Sequence, residues 1–492
     1  MSAVSFTVDS TLDAVDASPG DGVCATAAGE CTLRAAIQET NAVPGPDAII
    51  LPADIYTLTI FGGFDDEAAS GDLDINDQLE IRGAGADQTF IDGGSFGFGG
   101  NFIGGPNFEI RAATAVMSNL TIMNGGNNLT LGGAILNNGG TLTLNDVDLT
   151  HNAAYRGAGI VNLGLSTLTV NGGSFIQNGT PGSQSSDGAI SNQGKMTLEG
   201  VTFRGNYSGL GAGAIGNYNS ATLNNLTISD NATVGIGGGV YNGFEMNLTN
   251  SVITGNVGGI FNDVSGMLAA SNTTITANAG GAGAGVWNRG AASLTNVTIA
   301  GNNAGGSVGG GIYNDVGTVG AGLDLRNTIV AGNTGGDCGG PTAVVSDGHN
   351  LNSDGTCPFA AAGDIQNTDP MLGPLADNGG STQTQALLSG SPAIDAGDNG
   401  ACPGTDQRGF ARPADGGRRR KCDLRHRRLR VRRYAGPDAD SLAAANSYAY
   451  AAPSCLAYRG GIAVGQSGGR SGVAQLAGRV TADGRASTGG RR

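Results

Sequence analysis

Basic side chains are scarce where this sequence is most regular. Between residues 132 and 333 the groups able to act as a base or to neutralise an anion are His151, Arg156, Lys195, Arg204, Arg289 and Arg326. Cleaving a sugar chain by elimination needs acidic residues that hold calcium and an arginine or lysine acting as base. Hydrolysis needs two carboxylates across a cleft. The candidate carboxylates are Asp146 and Asp148, on one side of a strand, and Asp65 and Asp66 in a loop. Arg156, Arg204 and Arg289 fall in different phases of the repeat described below, so no basic cluster is expected on one face. The carboxylates read as solvated turn and surface residues. His151 holds the third place of a variable four-residue turn where other units carry Gln177, Gly205 or Asp230. No phosphate loop, Ser-His-Asp arrangement or regular aspartate-based calcium repeat is present, so no catalytic, cofactor or metal residue is assigned. Trp287 stands next to the asparagine of its unit, and Tyr241 and Tyr313 share that phase. Three rings at one phase suit stacking on sugars, with partial burial in a turn as the alternative.

These residues are positioned by a repeat. One unit runs Gly132-Gly133-Ala134-Ile135-Leu136-Asn137, Thr141-Leu142-Thr143-Leu144, then Val147-Asp148-Leu149-Thr150-His151-Asn152, and it returns with small variations. Its first asparagine falls at Asn137, Asn162, Asn192, Asn217, Asn242, Asn262, Asn288 and Asn314, in steps of 25, 30, 25, 25, 20, 26 and 26 residues. Its closing asparagine falls at Asn152, Asn178, Asn206, Asn231, Asn256, Asn278, Asn302 and Asn333. Such a period marks a solenoid. Apolar residues alternate within each unit, as strands require, and Gly-Gly and Asn-Gly pairs break every window long enough for a helix. Three short strands and three turns per unit predict one coil of a parallel β-helix, stacked on the next at roughly 4.8 Å.

The first asparagines are expected to form a structural ladder. Asparagine tolerates left-handed backbone angles, and its amide can bond the asparagine of the next coil. Eight copies at one phase favour that reading over ligand contact. The glycosylation sequons at Asn119, Asn225 and Asn296 arise from the same repeat.

Gly132-Gly133-Ala134-Ile135, with Phe175-Ile176-Gln177-Asn178 and Phe203-Arg204-Gly205-Asn206, resembles the paired Gly-Gly-Ala-Ile and Phe-x-x-Asn signature of the polymorphic outer membrane protein repeats, a family of bacterial surface β-helices. Elsewhere the phenylalanine relaxes, as in Ile228-Ser229-Asp230-Asn231. The resemblance implies a right-handed parallel β-helix. Asp347-Gly348-His349-Asn350 is only loosely similar to the Gly-His-Gly of pectin-cleaving hydrolases.

Composition agrees with one long solenoid. There are 89 glycines in 492 residues with no Gly-x-y period, and hydrophobic content is 39% with 5% aromatics, which suits a narrow aliphatic core. No apolar run approaches the roughly 18 residues of a membrane span. The net charge of -15 is unevenly divided: residues 1–416 carry 10 basic against 37 acidic groups, and residues 417–492 carry 16 against 4. An acidic body resists self-association and is a poor partner for nucleic acid or anionic membrane, and a monomeric rod is expected. Six of the seven cysteines form local pairs, Cys24 with Cys31, Cys338 with Cys357 and Cys402 with Cys422, leaving Cys455. Pairs near the two ends predict disulfide staples in an oxidising compartment. Zinc is the runner-up, with no Cys-x-x-Cys spacing behind it.

Taken in order, the chain opens on a strand at residues 4–8, with no basic or apolar leader segment written. Since the rest looks extracellular, a start placed too far downstream is the expected explanation. Residues 31–41 predict a helix, with Leu33, Ala36 and Ile37 on one face, Thr32 at its start and Asn41 at its end. Laid across the open end of a β-helix, it covers an exposed edge. Cys31-Thr32-Leu33-Arg34-Ala35-Ala36 is similar to the motif that names the CSLREA domain of secreted bacterial proteins, with Ala35 departing from its glutamate. Residues 1–60 are therefore assigned to that cap and a first coil, and 61–336 to the β-helix, with loops at 61–67 and 94–105. Residues 337–416, carrying Asp369-Pro370, Asp377-Asn378-Gly379-Gly380 and Ser391-Pro392-Ala393-Ile394-Asp395, resemble the choice-of-anchor region of surface proteins. Its implied role is to close the far end before an anchor.

The basic tail at 417–492 is expected to be of low order. Relatives resembling this chain end near Cys-Asp-Ile-Gly-Ala-Phe-Glu, whereas here Cys422-Asp423 is followed by Leu424-Arg425-His426-Arg427-Arg428-Leu429-Arg430. Written with the codons CAT CGG CGC CTT CGA G, His-Arg-Arg-Leu-Arg becomes Ile-Gly-Ala-Phe-Glu when displaced by one base, so we hypothesise a tail read out of frame. A genomic sequence in which no alternative frame restores that ending would refute it.

Three functional readings follow. The first is a non-catalytic adhesion or surface-interaction module outside the cell or on its surface, with cell-surface glycans or proteins as partners and no cofactor. The second is a carbohydrate-active enzyme, a polysaccharide lyase or glycoside hydrolase. The third is a structural envelope or matrix component.

Overall fold

The computed structural model describes residues 3–62, 65–94, 105–127, 129–181, 186–316, 322–412 and 450–451. The predicted tail, including Cys422 and Cys455, lies outside the described residues apart from the two-residue strand Tyr450–Ala451, as does most of the loop at 94–105.

The chain is an all-β parallel β-helix. Each regular coil contributes one strand to an 11-stranded narrow sheet and two, separated by a corner, to a 23-stranded broad sheet. In one coil these are Ile135–Asn138 on the narrow face and Thr141–Thr150 turning across the broad one. Pairing is parallel and in register: Leu142 meets Leu168, and Leu168 meets Met196. Residues of one type therefore pile into columns, and Leu142, Leu144, Val147 and Leu149 all lie fully inside. Their spacing changes parity at Asp146, whose φ is 51°. A single left-handed residue there turns the corner and returns the next strand's apolar residues to the same interior. Asparagine fills the same place at Asn119, Asn225, Asn250, Asn272, Asn296 and Asn327, because its short polar side chain tolerates that region.

The ladder asparagines themselves do not have left-handed backbones, which corrects the conformational part of the expectation. A second left-handed column lies one residue before the closing asparagine, at His151, Gln177, Gly205, Asp230, Gly255, Ala277, Gly301 and Gly332. The asparagines instead fill the interior with amide chains. Asn137 Nδ2 donates to Asn162 Oδ1 at 2.8 Å, and the pattern repeats through Asn192, Asn217, Asn242, Asn262, Asn288 and Asn314 at 2.7 to 2.9 Å. The closing asparagines form a parallel chain from Asn152 to Asn333 at 2.8 to 3.0 Å, ending on Asp337. Every member is buried, so each chain leaves few amide groups unsatisfied inside an otherwise apolar core.

At the first end, helix Leu33–Ala42 lies against the opening coils, with Thr32 Oγ1 accepting from Ala35 N at 3.1 Å. It runs one residue beyond Asn41, whose side chain instead donates to Asp74 O at 2.7 Å. Ser5–Thr7 pairs with Asp47–Ile50, and that strand with Leu79–Arg82. The coils therefore begin within residues 1–60 and continue past 336, to Leu351–Asn352 and the bridge from Leu351 to Ile365. Disulfides join Cys24 to Cys31 and Cys338 to Cys357.

The segment from about 370 to 412 folds back onto the outside of the last coils. It packs Leu387 and Ala393 against Ile329, Ala331 and Leu351, then turns back along the broad-sheet corner. Asn327 Oδ1 accepts from Asp398 N, Asn272 Nδ2 donates to Thr405 O, and Gln407 bonds Thr274 and Ser251. The polar corner column that turns each coil thus serves as its docking track. No helix among the described residues is long and apolar enough to cross a membrane.

Candidate functional site

The outward-facing middle position of the narrow sheet is a single row. Its residues in register are Asp74, Glu109, Leu136, Val161, Ser191, Gly216, Tyr241, Phe261, Trp287, Tyr313 and Gly339. One position per coil, with coils roughly 4.8 Å apart, makes this row acidic at its start, aliphatic in the middle and aromatic beyond.

Tyr241, Trp287 and Tyr313 are brought together, and two further rings join them. Phe261 occupies the same register and was legible at that phase from its place before Asn262. Tyr218 enters from two positions downstream of Gly216, over the gap that glycine leaves. Ring centroids follow at 5.2 Å from Tyr218 to Tyr241, 5.6 Å to Phe261, 5.2 Å to Trp287 and 5.8 Å to Tyr313. Tyr241 and Phe261 stack on each other, whereas Trp287 stands at 85° to Phe261 and 90° to Tyr313. Trp287 is therefore stacked face to face with neither neighbour. All but Phe261 are partly exposed, and Trp287 Nε1 has no hydrogen-bond partner among the described residues.

Charged groups line this aromatic row. Tyr218 Oη donates to Asp187 Oδ1 at 2.8 Å, and the Arg156 guanidinium lies 5.2 Å from the centre of the Tyr218 ring. Arg156 Nε stands 3.8 Å from Asp187 Oδ2, an ion pair too long for a hydrogen bond. Tyr241 Oη donates to Asp263 Oδ2 at 2.7 Å, and Arg289 sits between Asp263 and Asp315 at 3.6 and 3.7 Å. Burial raises the Asp187 carboxyl, against the lowering effects of its hydrogen bonds and of Arg156. Burial and their carboxylate partners push the Tyr218 and Tyr241 phenols well up, so both stay protonated donors.

Arg156 and Arg289 both flank this row, in separate coils and each beside its own aspartates. Arg204 lies elsewhere, on the broad sheet beside Asp230. Asp187 was missed because it falls in the longest step of the ladder, the 30 residues between Asn162 and Asn192, where the periodic reading offers no phase.

The other candidates are dispersed. His151 is exposed at a left-handed turn, with Nδ1 at 2.7 Å from Thr150 Oγ1. His349 Nδ1 meets Ala396 O at 2.7 Å beneath the returning segment. Asp148 accepts from Ser174 Oγ at 2.6 Å, and Asp146 turns its corner. Burial would raise the Asp65 carboxyl, but bonds from Ser70, Ala69 and Glu67 outweigh it and hold it low. Asp66 pairs with Arg111 at 2.9 Å. Asn296 is buried, whereas Asn225 bonds Glu199 and Ser381. The expected partner of Cys402, Cys422, lies outside the described residues.

No family model matches the chain and no curated protein matches it. Among solved structures it is similar to the A-module of the mannuronan C-5 epimerase AlgE4 of Azotobacter vinelandii, at 15% identity over 68% of this chain and 90% of that one, with a TM-score of 0.37. It is also similar to a PL6 family alginate lyase, at 12% identity over 77% and 56%, TM-score 0.31, and to pectate lyase Pel9A, at 12% over 74% and 82%, TM-score 0.24. The likeness is one of fold.

Proposed function

We propose that the aromatic half of the narrow-sheet row binds an extended, neutral polysaccharide, and that the chain acts outside the cell or on its surface as a non-catalytic interaction module. The carrying observation is the run of rings from Tyr218 to Tyr313, spaced at 5.2 to 5.8 Å, of which Tyr218, Tyr241, Trp287 and Tyr313 are partly exposed and Phe261 is buried. That repeat is close to the advance per ring of an extended sugar chain, and aromatic surfaces suit the apolar faces of pyranoses. Asp263, Asp315, Tyr241 and Arg289 supply hydroxyl partners alongside. An acidic body disfavours polyanions, and two disulfides suit an oxidising compartment.

The test is binding of the full chain to a panel of neutral and uronate polysaccharides. Neutral chains are expected to bind, and Trp287→Ala to weaken them. Binding to none of them, or binding indifferent to Trp287, would refute the reading.

A second reading, a polysaccharide lyase or hydrolase, draws on Asp187, Tyr218 and Arg156, since ionisable groups shifted by burial and a charged partner cluster at functional sites. Asp187 has no exposed surface, which favours a supporting role. Unsaturated product or new reducing ends, with or without calcium, would decide for the enzyme.

A further inference from the structure

The acidic start of the same row carries a separate feature. Asp72 and Asp74 belong to the segment that forms strand Leu73–Ile75, and Glu109 to the neighbouring strand Phe108–Arg111, directly opposite Asp74. One carboxylate oxygen from each lies within 4.8 Å of the other two. Asp74 is 0% exposed, and only one of its oxygens is served: Oδ2 accepts from Ala68 N at 3.2 Å, while Oδ1 has no hydrogen-bond partner among the described residues. A fully buried carboxylate oxygen without a donor is costly unless a cation or a proton meets it.

Of the nearby arginines only Arg34 is committed elsewhere; Arg111 and Asn138 both donate to one oxygen of Glu109, leaving its other oxygen for a cation. Arg34 pairs with Asp13 and donates to the backbone oxygens of Ala68, Gly71 and Asp72, not to either aspartate carboxylate of the cluster. Arg111 pairs with Asp66 and Glu109. A Cβ at Gly105 would stand 3.0 Å from the Asp72 carboxylate, so a larger residue there would press directly on this group.

We propose that Asp72, Asp74 and Glu109 bind one calcium ion, which ties the first two strands of the narrow sheet together beneath the N-terminal helix. The donor set is all oxygen, with no histidine or thiolate, as a hard cation requires. Two oxygens bound to one calcium at about 2.4 Å each stand no more than about 4.8 Å apart, a limit that the three carboxylate oxygens respect. The site is independent of the glycan reading, since the aliphatic and small residues from Leu136 to Gly216 separate it from the rings.

Isothermal titration of the full chain with calcium, paired with thermal melting, tests the proposal. Wild type is expected to bind calcium and melt higher in its presence, magnesium to be at least tenfold weaker, and Asp74→Asn to lose both effects while still folding. Glu109→Gln, at the accessible side, is expected to weaken calcium at least tenfold if Asp74→Asn fails to fold. Asp146→Asn, on a distant corner, leaves binding unchanged. Absence of calcium binding, or binding untouched in every cluster variant that folds, would overturn the site. Equal affinity for magnesium would overturn the calcium assignment.

Discussion

Tyr218 and Asp187 meet across a coil boundary because Gly216 has no side chain. The phenol reaches Asp187 Oδ1 at 2.8 Å, and a Cβ on Gly216 would stand 2.3 Å from that oxygen and 2.5 Å from the carboxyl carbon. In the neighbouring coils this register is filled by Ser191 and Tyr241, so the glycine is not demanded by the strand itself. Gly216→Ala is expected to destabilise the fold by about 1–3 kcal/mol through overpacking. Chemical denaturation measures it, and in an Asp187→Ala background the added cost should shrink by more than half. A full cost there would mean that the carboxyl is not what the glycine accommodates.

The interior amide chains give a second expectation. Asn217 Nδ2 donates to Asn242 Oδ1 and to the backbone oxygens of Asn219 and Glu245, and its own oxygen accepts from Asn192. Asn217→Ala strands these buried groups together, so a loss of about 3 kcal/mol is expected, with glycan affinity unchanged at permissive temperature. A neutral effect on the denaturation midpoint would refute a structural role for the ladder. A selective loss of binding would move Asn217 into the ligand site.

At the ring row, Trp287→Ala should lower affinity for a bound neutral polysaccharide by at least about tenfold, the scale of an aromatic anchor. Leu129→Ala, at a residue 88% exposed and outside the row, should leave affinity unchanged. Affinity electrophoresis of the two variants separates an aromatic anchor from general surface stickiness.

What could be read in the sequence was whatever the coil repeats. A column such as Leu142, Leu168, Met196 recurs because every coil must face the same interior, and the asparagine phases recur for the same reason. The ring positions Tyr241, Trp287 and Tyr313 share a phase with Phe261, whose place before Asn262 carried the same signal. What could not be read lies where period fails. Asp74 and Glu109 face each other across irregular coils, 35 residues apart in sequence, so no spacing rule pairs them. Asp187 sits in the longest ladder step. The return of the C-terminal segment along Asn225, Asn250 and Asn272 is fixed by polar contacts 132 to 156 residues apart, which a local pattern does not encode.

Titration offers the last prediction. Burial, with the charges of Asp72 and Glu109, pushes the Asp74 carboxyl up to about 8, and burial pushes Asp72 up to about 6. Both folded values lie above the ordinary 3.8, so the folded protein holds these protons more tightly than the unfolded chain does. Their contribution to stability is therefore complete below about pH 4 and is lost as pH rises through about 6 and then about 8. Calcium-free protein should melt lower at about pH 9 than at about pH 5, and Asp74→Asn should reduce that difference, because its amide never ionises. Asp187 and Asp337 are raised as well, so the comparison that matters is wild type against the variant. Saturating calcium replaces the protons with a cation and should recover stability most at the alkaline end. Melting curves at both pH values, with calcium and with chelator, check the sign. A wild type and variant that lose stability equally with rising pH would show that Asp74 does not carry the effect.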